Sequence, residues 1–464
     1  MADQWPNSGL DLHLEIDPTV PGRRAGLEKA LRDAVQDGRL APGARLPATR
    51  RLADELGLSR GTVRAAYDQL IAEGYLTARQ GAGTTVARLP RPHGDGAELP
   101  APSDRPRHDL RPGSPDVSAF PRAAWLLSAR RALTAAPADA FGYGDPRGRP
   151  ELRAALADYL GRTRGVLARP GQIVITNGYS QALGLLARVT GGVVAMEDPG
   201  VGLHRDIVRH AGAHVVPLPV DDRGARTDLL TGSVTAVEVT PAHQYPTGRT
   251  LHPCRRRALV TWARDTGGLI IENDYDGEFR YDRQPVGAVQ GTAPDHVAYL
   301  GTASKTLGPA LRLAWMVLPP RLLEPVVEAK RLSDHHTEGL GQLTLADFIA
   351  GHAYDRHIRA SRLRYRRRRD RLVAALAPSG LSAQGIAAGL QALVPLRPDG
   401  PAERDVLAAA AEHGLALGRL GDRWHTAEEN SPQGLIIGYA RPPEHAYPAA
   451  LDALATVLRA VLPG

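Results

Sequence analysis

The stretch GTASKTLGPALR, residues 301–312, sets a single lysine in a turn of small and hydroxylated residues. Lys305 follows Thr302 and Ser304, and Arg312 closes the stretch. A lysine amine beside a phosphate-binding loop can form a Schiff base with the aldehyde of pyridoxal phosphate (PLP), whose ring then serves as an electron sink. A lysine in a loop is more often a solvated surface charge, so this chemistry requires further groups around it.

Two other segments carry groups that this cofactor requires. Its phosphate is bound best by backbone N–H groups at a helix N-terminus, together with hydroxyls and an arginine. The run NGYSQAL, residues 177–183, opens a helical pattern. Tyr275, in the run IENDYDGEFRY, has a phenol that can donate to the phenolic oxygen of the cofactor. Each signal is weak alone, and the combination predicts a cofactor site.

Helical and β-rich runs alternate around these segments. The runs PELRAALADYLGRTRG and SQALGLLARV have helical spacing and alternate with the short apolar runs QIVIT, GVVAM, TAVEVT, GLIIEN and VAYLG. This alternation predicts an α/β domain with a largely parallel sheet. Ligands of such sheets bind beyond the carboxyl ends of the strands. The loops NGYSQ, EDPG, NDYDGE and GTASK lie there, so Lys305 falls on the face where a ligand is expected.

The N-terminal part has a different pattern. Residues 27–35 have apolar residues at helical spacing, and TRRLADEL forms a second short helix that ends at Gly57. Ser59 can cap a third helix, SRGTVRAAYDQLIAEG, which is followed by two short strands in YLTARQGAGTTVA. This order of helices, turn and strands predicts a winged helix-turn-helix.

The third helix presents polar residues just inside its N-terminus, where a recognition helix meets base edges and phosphates in a major groove. We expect arginines to contact phosphate or guanine, hydroxyls to contact phosphate or a base edge, and a glycine turn of the wing to reach a minor groove. An alternative is a solvated helical bundle that binds a protein. The residues expected to contact DNA are Arg50, Ser59, Arg60, Thr62, Arg64 and Gly81.

The composition changes between these two parts. Residues 89–121 are rich in proline, glycine and charge and have no periodic apolar face, which predicts an extended, semi-rigid linker. The sequence therefore divides into a winged helix-turn-helix domain (14–88), a linker (89–121) and an α/β domain (122–464).

Composition narrows the class of protein further. With 464 residues and 43% hydrophobic content, the chain can bury a large core and a smaller second one. No apolar run approaches the roughly 18 residues of a membrane span, and no secretory signal is recognisable, so we expect a cytoplasmic protein. The single cysteine, Cys254, agrees with a reducing compartment. Of the net charge of +7, residues 21–88 hold +5, from 12 basic and 7 acidic residues, which places an anionic partner there.

The segment RLPATRRLADELGLSRGTVRAAYDQLIAEGYLTARQGAGTTVA closely resembles the winged helix-turn-helix of GntR-type bacterial regulators. This resemblance covers essentially the whole N-terminal domain. It implies binding to double-stranded DNA through seven residues: Arg50, Ser59, Arg60, Thr62, Arg64, Gln80 and Gly81.

Five runs of the α/β part are similar to the fold-type I aminotransferase domain: FGYGDPRGRPELRAALADYLGRTRGV, TNGYSQALGLLARV, TPAHQYPTGRTL, IENDYDGEFRYDRQPVGA and YLGTASKTLGPALRLAWMVLP. Joined to the GntR-type segment, they resemble the MocR/GabR-type regulators over residues 22–88 and 108–464. The resemblance implies a winged helix-turn-helix (α+β) joined by a Pro-rich linker to an α/β fold-type I PLP-dependent aminotransferase-like domain. It also implies a homodimer.

The same resemblance assigns roles in the cofactor site. It makes Lys305 the Schiff-base lysine, places Tyr275 at the ring oxygen, and gives the phosphate to Arg312, Ser304 and the loop 178–180. The residues implied to bind the cofactor are Lys305, Asn273, Tyr275, Arg312, Thr302, Ser304, Gly178, Tyr179 and Ser180.

Three positions depart from the family pattern. Asn273 stands where the family carries the aspartate that pairs with the pyridine nitrogen, although a shifted register would let Asp274 substitute. Val201 stands where a stacking aromatic is usual, and Ile436 where related aminotransferases carry the arginine for the substrate carboxylate, with Arg441 nearby. A transaminase needs a protonated ring and a carboxylate anchor, so we expect cofactor binding without efficient transamination.

Three hypotheses follow from these patterns. The leading one is a transcription regulator that senses PLP, an amine or amino acid, or both. The second is an aminotransferase with an appended DNA-binding module. The third is a DNA-binding protein whose large domain is an empty oligomerisation scaffold.

Two further runs have plain interpretations. His335 and His336 have no partner at metal-ligand spacing, so we predict a loop and no metal site. The arginine-rich run 359–371 is interpreted as a structural helix, with contact to DNA or to the other domain as the alternative.

Overall fold

The computed structural model describes residues 22–79, 83–89, 106–281, 286–427 and 431–461. Contacts divide the chain into two compact units, Met1–Asp104 and Arg105–Gly464. Each unit has its own hydrophobic core.

The first unit is a small helical domain with a two-stranded wing. Its three helices enclose a core of leucines, and β1 pairs antiparallel with β2. The predicted helices and strands are confirmed. Their bounds are α1 Arg23–Gln36, α2 Thr49–Leu56, α3 Arg60–Ala72, β1 Leu76–Arg79 and β2 Gly83–Val86.

The turn between α2 and α3 follows from two residues. Gly57 ends α2 in the left-handed conformation, with φ of 63°, which costs glycine least. The Ser59 hydroxyl accepts a hydrogen bond from the Thr62 backbone N–H at 3.0 Å and so caps α3. The predicted turn and cap are confirmed.

We expect Ser59→Ala to destabilise the start of α3 by about 0.5–2 kcal/mol, because the substitution leaves the Thr62 N–H without its acceptor. Faster hydrogen–deuterium exchange in a peptide covering α3 would show this. Ser59→Asp, which keeps an acceptor, is the control. Equal exchange in all three proteins would contradict the prediction.

The second unit is an α/β domain with ten helices and thirteen strands in the described ranges. The helices are α4 Arg122–Ala135, α5 Pro150–Arg164, α6 Tyr179–Thr190, α7 Gly202–His210, α8 Pro253–Thr266, α9 Pro320–Asp334, α10 Gly339–Ala350, α11 Ala353–Leu376, α12 Glu403–Glu412 and α13 Tyr447–Val461. The strands are β3 His108–Asp109, β4 Ile173–Thr176, β5 Val193–Asp198, β6 His214–Asp221, β7 Gly224–Ala225, β8 Ala236–Val239, β9 Leu269–Asp274, β10 Val297–Thr302, β11 Ala314–Val317, β12 Ala392–Pro395, β13 Leu415–Ala416, β14 Gly418–Arg419 and β15 Gly434–Ile437.

Eight strands form the central sheet in the order β4-β11-β10-β9-β8-β5-β6-β7. The five strands from β10 to β6 are parallel, whereas β11 and β7 run antiparallel to their neighbours. Apolar clusters cover the sheet, and a smaller sheet, β12-β15-β14, lies in the C-terminal part of the unit. The prediction of a largely parallel α/β sheet is confirmed.

The C-terminal end of the predicted linker differs in the structure. β3 pairs with β13, and Leu110 is fully buried in the core of the second unit. Strand pairing and burial of Leu110 fix residues 106–121 to this unit, although the segment has no periodic apolar face. The rest of the predicted linker up to residue 105, except Leu89, lies outside the described residues.

The arginine-rich run 359–371 lies on α11. Arg368 is 1% exposed and forms ion pairs with Asp116 at 3.0 Å and Glu444 at 2.7 Å. This buried guanidinium links α11 to one residue that precedes the helix in the sequence and to one that follows it. The ion pairs support the interpretation of the run as a structural helix. No helix in the described ranges is long and apolar enough to cross a bilayer.

Candidate functional site

A cavity of about 680 Å³ opens at the carboxyl ends of the central strands. Parallel strands bring their C-terminal loops to one edge of a sheet, and the predicted cofactor residues meet here. Eight of the nine line the cavity, and Gly178 lies next to one of them. The eight are Tyr179, Ser180, Asn273, Tyr275, Thr302, Ser304, Lys305 and Arg312.

Lys305 follows β10 and reaches into this cavity. Its Nζ donates a hydrogen bond to the carbonyl oxygen of Gly113 at 2.5 Å. Burial lowers the pKa of Lys305, and the negative charge of Asp276 opposes that shift only in part. Burial therefore increases the fraction of neutral amine, which is the form that attacks carbonyl groups.

An arginine and a glycine meet at the start of α6. Arg312 Nη2 donates to the carbonyl oxygen of Asn177 at 2.5 Å. Gly178 has φ of 94°, and a Cβ there would lie 2.5 Å from Arg312 Nη2, so only glycine fits. Thr302 Oγ1 donates to Ser304 Oγ at 2.9 Å on the neighbouring turn. The backbone N–H groups at the start of α6, the hydroxyls and the guanidinium form a cradle suited to a phosphate dianion.

Tyr275 is held from two sides. Gln391 Nε2 donates to the Tyr275 hydroxyl at 3.1 Å, and His243 Nδ1 lies 3.3 Å from the same oxygen. His243 is in turn paired with buried Asp276 at 2.8 Å. Burial, followed by the charge of Asp276, raises the pKa of Tyr275 well above its usual value. The phenol therefore stays neutral and can donate a hydrogen bond.

The inner wall of the cavity holds an amide and a carboxylate. Asn273 Nδ2 donates to Glu238 Oε1 at 2.9 Å, and the Tyr179 hydroxyl donates to the same oxygen at 2.8 Å. His204 Nδ1 lies 3.6 Å from that oxygen. Asn273 Oδ1 is buried and has no hydrogen-bond partner within the described ranges. An unpaired buried acceptor at a cavity wall is suited to a ligand donor.

Two buried carboxylates in this wall differ in charge. Burial, followed by the charge of Glu238, raises the pKa of Glu197 to about 8. Burial also raises the pKa of Glu238, but His204, Asn273 and Tyr179 outweigh burial and leave that pKa below its usual value. At neutral pH, Glu238 is therefore charged and Glu197 is mostly protonated.

The register of β9 excludes Asp274 as the substitute for the missing aspartate. Asp274 pairs with buried Arg164 at 2.6 Å and accepts a hydrogen bond from Tyr299 at 2.7 Å. Successive strand residues point to opposite faces, so Asn273 lines the cavity and Asp274 does not.

The other two positions that depart from the family pattern, Val201 and Ile436, have different surroundings. Val201 lines the cavity together with His204 of α7. Ile436 is fully buried in β15, where it pairs with Leu393 and packs in an apolar cluster. Arg441 does line the cavity, but it is paired with Asp109 at 2.9 Å.

Arg423 is a cation of the cavity that the sequence analysis did not single out. Its guanidinium lies 5.9 Å from the ring centre of Tyr245. Its carbonyl oxygen accepts hydrogen bonds from Gly200 N–H and Arg205 Nη1, each at 3.0 Å. Arg423 Nε is buried without a hydrogen-bond partner in the described part of the chain. Gly200, just before α7, and Arg205 of α7 therefore hold the backbone of this arginine beside the cavity.

Glu238, His204 and Gln391 were also missed. Glu238 had a usable signal, because a single carboxylate interrupts the apolar run TAVEVT. His204 and Gln391 reach the cavity only through the tertiary fold, and no spacing in the sequence connects them with Lys305.

The candidate nucleic-acid interface lies at the start of α3. Arg50 and Arg60 are exposed, and Arg64 has only a loose pair with Asp68 at 3.8 Å. The hydroxyls of Ser59 and Thr62 are 2.8 Å apart at the helix cap. The predicted wing contacts Gln80 and Gly81 lie outside the described residues.

His335 and His336 directly follow α9, with their Nδ1 atoms 3.1 Å apart. Both rings lie beside the ring of Tyr143. Among the residues that the structure describes, no group of three or more His, Cys, Asp or Glu side chains is arranged to hold a metal ion.

Comparison with known proteins gives the same division of the chain. Residues 24–86 match the family "Bacterial regulatory proteins, gntR family", and residues 115–419 match "Aminotransferase class I and II". The fold and the cavity thus define a class: a GntR-type winged helix joined to a class I and II aminotransferase domain.

Individual proteins similar to this chain define the family more closely than the two family matches do. The probable rhizopine catabolism regulatory protein MocR of Rhizobium meliloti is 37% identical over 388 residues, covering 78% of each chain. The HTH-type pyridoxine biosynthesis transcriptional regulator PdxR of Corynebacterium glutamicum is 32% identical over 438 residues, covering 92% of this chain and 94% of its own. Kynurenine aminotransferase of Pyrococcus horikoshii superposes with a TM-score of 0.69 at 26% identity, covering 78% of this chain and 93% of its own.

The chain belongs to the MocR/GabR-type transcriptional regulators. The aminotransferase fold implies PLP as the cofactor. The residues present fit it, because the cavity offers a half-buried amine at Lys305, the cradle at Gly178 and an unpaired acceptor at Asn273. The predicted fold class, regulator function and cofactor are confirmed.

Proposed function

We propose that the protein regulates transcription by coupling two ligands, operator DNA at the winged helix and PLP with an amine or amino acid in the large unit. The observation that carries this proposal is the cavity, which combines Lys305 with the Arg312–Gly178 cradle. This combination supports binding of PLP in the large unit. Ile436, which the resemblance aligns with the carboxylate-binding arginine of related aminotransferases, is apolar and fully buried.

We assign the following roles within the cavity. Lys305 supplies the amine that bonds to the cofactor aldehyde, and Tyr275 donates to the ring oxygen. Asn273 would hold the ring nitrogen. When bound, PLP supplies an aldehyde that condenses with amines and a ring that withdraws electrons. The phosphate is held by Arg312, Thr302, Ser304, Gly178, Tyr179 and Ser180.

An amino-acid effector also needs an anchor for its carboxylate. Arg423 meets that need, because its guanidinium lines the cavity, its Nε has no partner in the described ranges, and residues 200–205 hold its backbone. By contrast, Arg441 is already paired with Asp109. We therefore propose Arg423 as the anchor for an effector carboxylate.

The DNA contacts are assigned to Arg50, Ser59, Arg60, Thr62 and Arg64, together with Gln80 and Gly81, which the resemblance implies. We further propose that the protein acts in the cytoplasm as a homodimer. On the large unit, Leu126 and Leu127 of α4 are 67% and 55% exposed, and Phe141 is 60% exposed. Such an apolar surface is suited to a second copy of the chain.

The test is binding of the full chain to its own upstream DNA in a gel-shift assay at low salt. We expect a shifted band whose midpoint changes when PLP, or PLP with an amine or amino acid, is added. A ligand changes this midpoint only if it binds the DNA-competent state with a different affinity. No shifted band, or steady conversion of amino acids at enzyme-like rates without any effect on DNA binding, would contradict the proposal.

We expect Gly178→Ala to weaken PLP binding by at least about tenfold, which is ~1.4 kcal/mol. The new Cβ would lie 2.5 Å from Arg312 Nη2 and would also occupy a left-handed backbone position. Spectrophotometric titration with PLP measures the loss. Gly267→Ala is the matched control, since Gly267 has φ of 72° at the end of α8 with nothing within 4 Å. Equal affinities of the two variants would contradict the prediction.

A further inference from the structure

The unpaired oxygen of Asn273 is the starting observation. Asn273 is 5% exposed, lines the cavity, and has its Nδ2 bound to Glu238 while Oδ1 has no partner in the described residues. An ionised carboxylate can only accept hydrogen bonds. Glu238 therefore requires the NH2 group of Asn273 on its side and leaves the amide oxygen available to the cavity.

The orientation of this amide determines whether its oxygen or its NH2 group would hydrogen-bond to a ring nitrogen. An amide oxygen pairs with a protonated pyridine nitrogen, whereas an amide NH2 pairs with an unprotonated one. By binding the NH2 group, Glu238 selects the oxygen. Tyr179 supports this arrangement, because its hydroxyl donates to the same Glu238 oxygen at 2.8 Å.

Glu238 also brings a negative charge to the wall. It is 5% exposed on β8, the parallel neighbour of β9. The titratable groups around it are Tyr179, His204 and Glu197. Of the two carboxylates, Glu238 holds the lower pKa, because His204, Asn273 and Tyr179 outweigh its burial. Because Asn273 and Glu238 are both buried, a charge one hydrogen bond away still stabilises a cation.

We propose that Asn273 and Glu238 together replace the missing aspartate at the pyridine nitrogen of PLP. Asn273 Oδ1 accepts the hydrogen bond of the protonated nitrogen, and Glu238 supplies the compensating charge through the Asn273 amide. No proton leaves the nitrogen in this arrangement. The inference rests on PLP binding by the proposed site. With an amide alone, the ring would withdraw electrons less strongly, and the Asn273–Glu238 pair restores part of that withdrawal.

Nitrogen-15 NMR on PLP labelled at the ring nitrogen tests this inference in the full-length, cofactor-loaded protein. We expect the chemical shift of a protonated pyridine nitrogen in the wild type and that of an unprotonated nitrogen in Glu238→Gln, which keeps an acceptor but loses the charge. The double variant Asn273→Asp with Glu238→Gln exchanges amide and carboxylate, and it should return the protonated shift.

The outcomes separate this inference from the proposed function. An unprotonated nitrogen in the wild type, or a protonated one in Glu238→Gln, would overturn the inference while PLP binding stands. If Glu238→Gln holds no cofactor, the double variant decides: a protonated nitrogen supports the inference and an unprotonated one, or no binding, overturns it. A wild-type chain without cofactor would contradict the proposed function itself.

Discussion

Replacing Lys305 by alanine is expected to abolish covalent capture of PLP. The amine lies at the end of β10 in the cavity, and burial lowers its pKa, so a neutral nucleophile is available beside the cradle at Arg312. Borohydride reduction of the PLP-loaded protein fixes the cofactor to its lysine, and intact-mass and peptide analysis locate the bond. We expect one adduct on the peptide with Lys305 in the wild type and none in the variant.

Two control variants test whether the adduct is lost because the amine is missing, and not because a positive charge is missing or the protein fails to fold. Lys305→Arg keeps the positive charge but cannot form the covalent bond, so it should also give no adduct. Lys29→Ala removes an exposed lysine of α1 and should leave the adduct unchanged. An adduct that persists in Lys305→Ala, or one that maps to another lysine, would contradict the assignment. If the effect of PLP on DNA binding also survives in Lys305→Ala, covalent capture is not part of the response.

Strand β6 was not predicted from the sequence, although it lies in the central sheet. The β6 segment HVVPLPVD contains Pro217 and Pro219, which argue against a central strand. In the structure β7 pairs only with the last two residues of β6, so both prolines lie where β6 has a partner on one side only. Proline is tolerated at such an open edge.

The cofactor residues of each loop could be predicted, whereas the contact between Glu238 and Asn273 in the cavity wall could not. Lys305 and Arg312 are seven positions apart on one turn, so local spacing brings them together. Glu238 meets Asn273 because β8 pairs in parallel with β9, with Glu238 opposite Ile271 and on the same face as Asn273. That register depends on the whole sheet and has no local signal in the sequence.

The tertiary contacts of the predicted linker could not be predicted from the sequence either. Proline and charge along residues 89–121 gave no helical or strand period, yet Leu110 is buried and Gly113 supplies the carbonyl that Lys305 contacts. A short segment that pairs with a distant strand is stabilised by tertiary contacts, which composition does not record. The resemblance to a known family began the large domain at residue 108, nearer to the start of β3.

Removing Arg60 and Arg64 together is expected to weaken binding to the upstream DNA strongly. Each arginine that binds a guanine contributes about 1–3 kcal/mol, and removing an arginine that binds a phosphate reduces the salt-dependence slope by about 1. Both side chains are exposed at the start of α3, where a recognition helix meets the major groove. Fluorescence-anisotropy titrations of Arg60→Ala with Arg64→Ala at several salt concentrations measure both effects.

The double variant should stay folded, which makes its weaker DNA binding interpretable. Arg64 forms a long, exposed pair with Asp68 at 3.8 Å, and such pairs contribute little to stability. Arg60 places a positive charge at the N-terminus of α3, where the helix dipole disfavours it, so its presence there is better explained by DNA than by folding. Arg24→Ala with Lys29→Ala removes the same charge from α1 and should cost far less affinity. If the two double variants reduce affinity equally, α3 has no special role, and the assignment of Arg60 and Arg64 to the DNA interface is wrong.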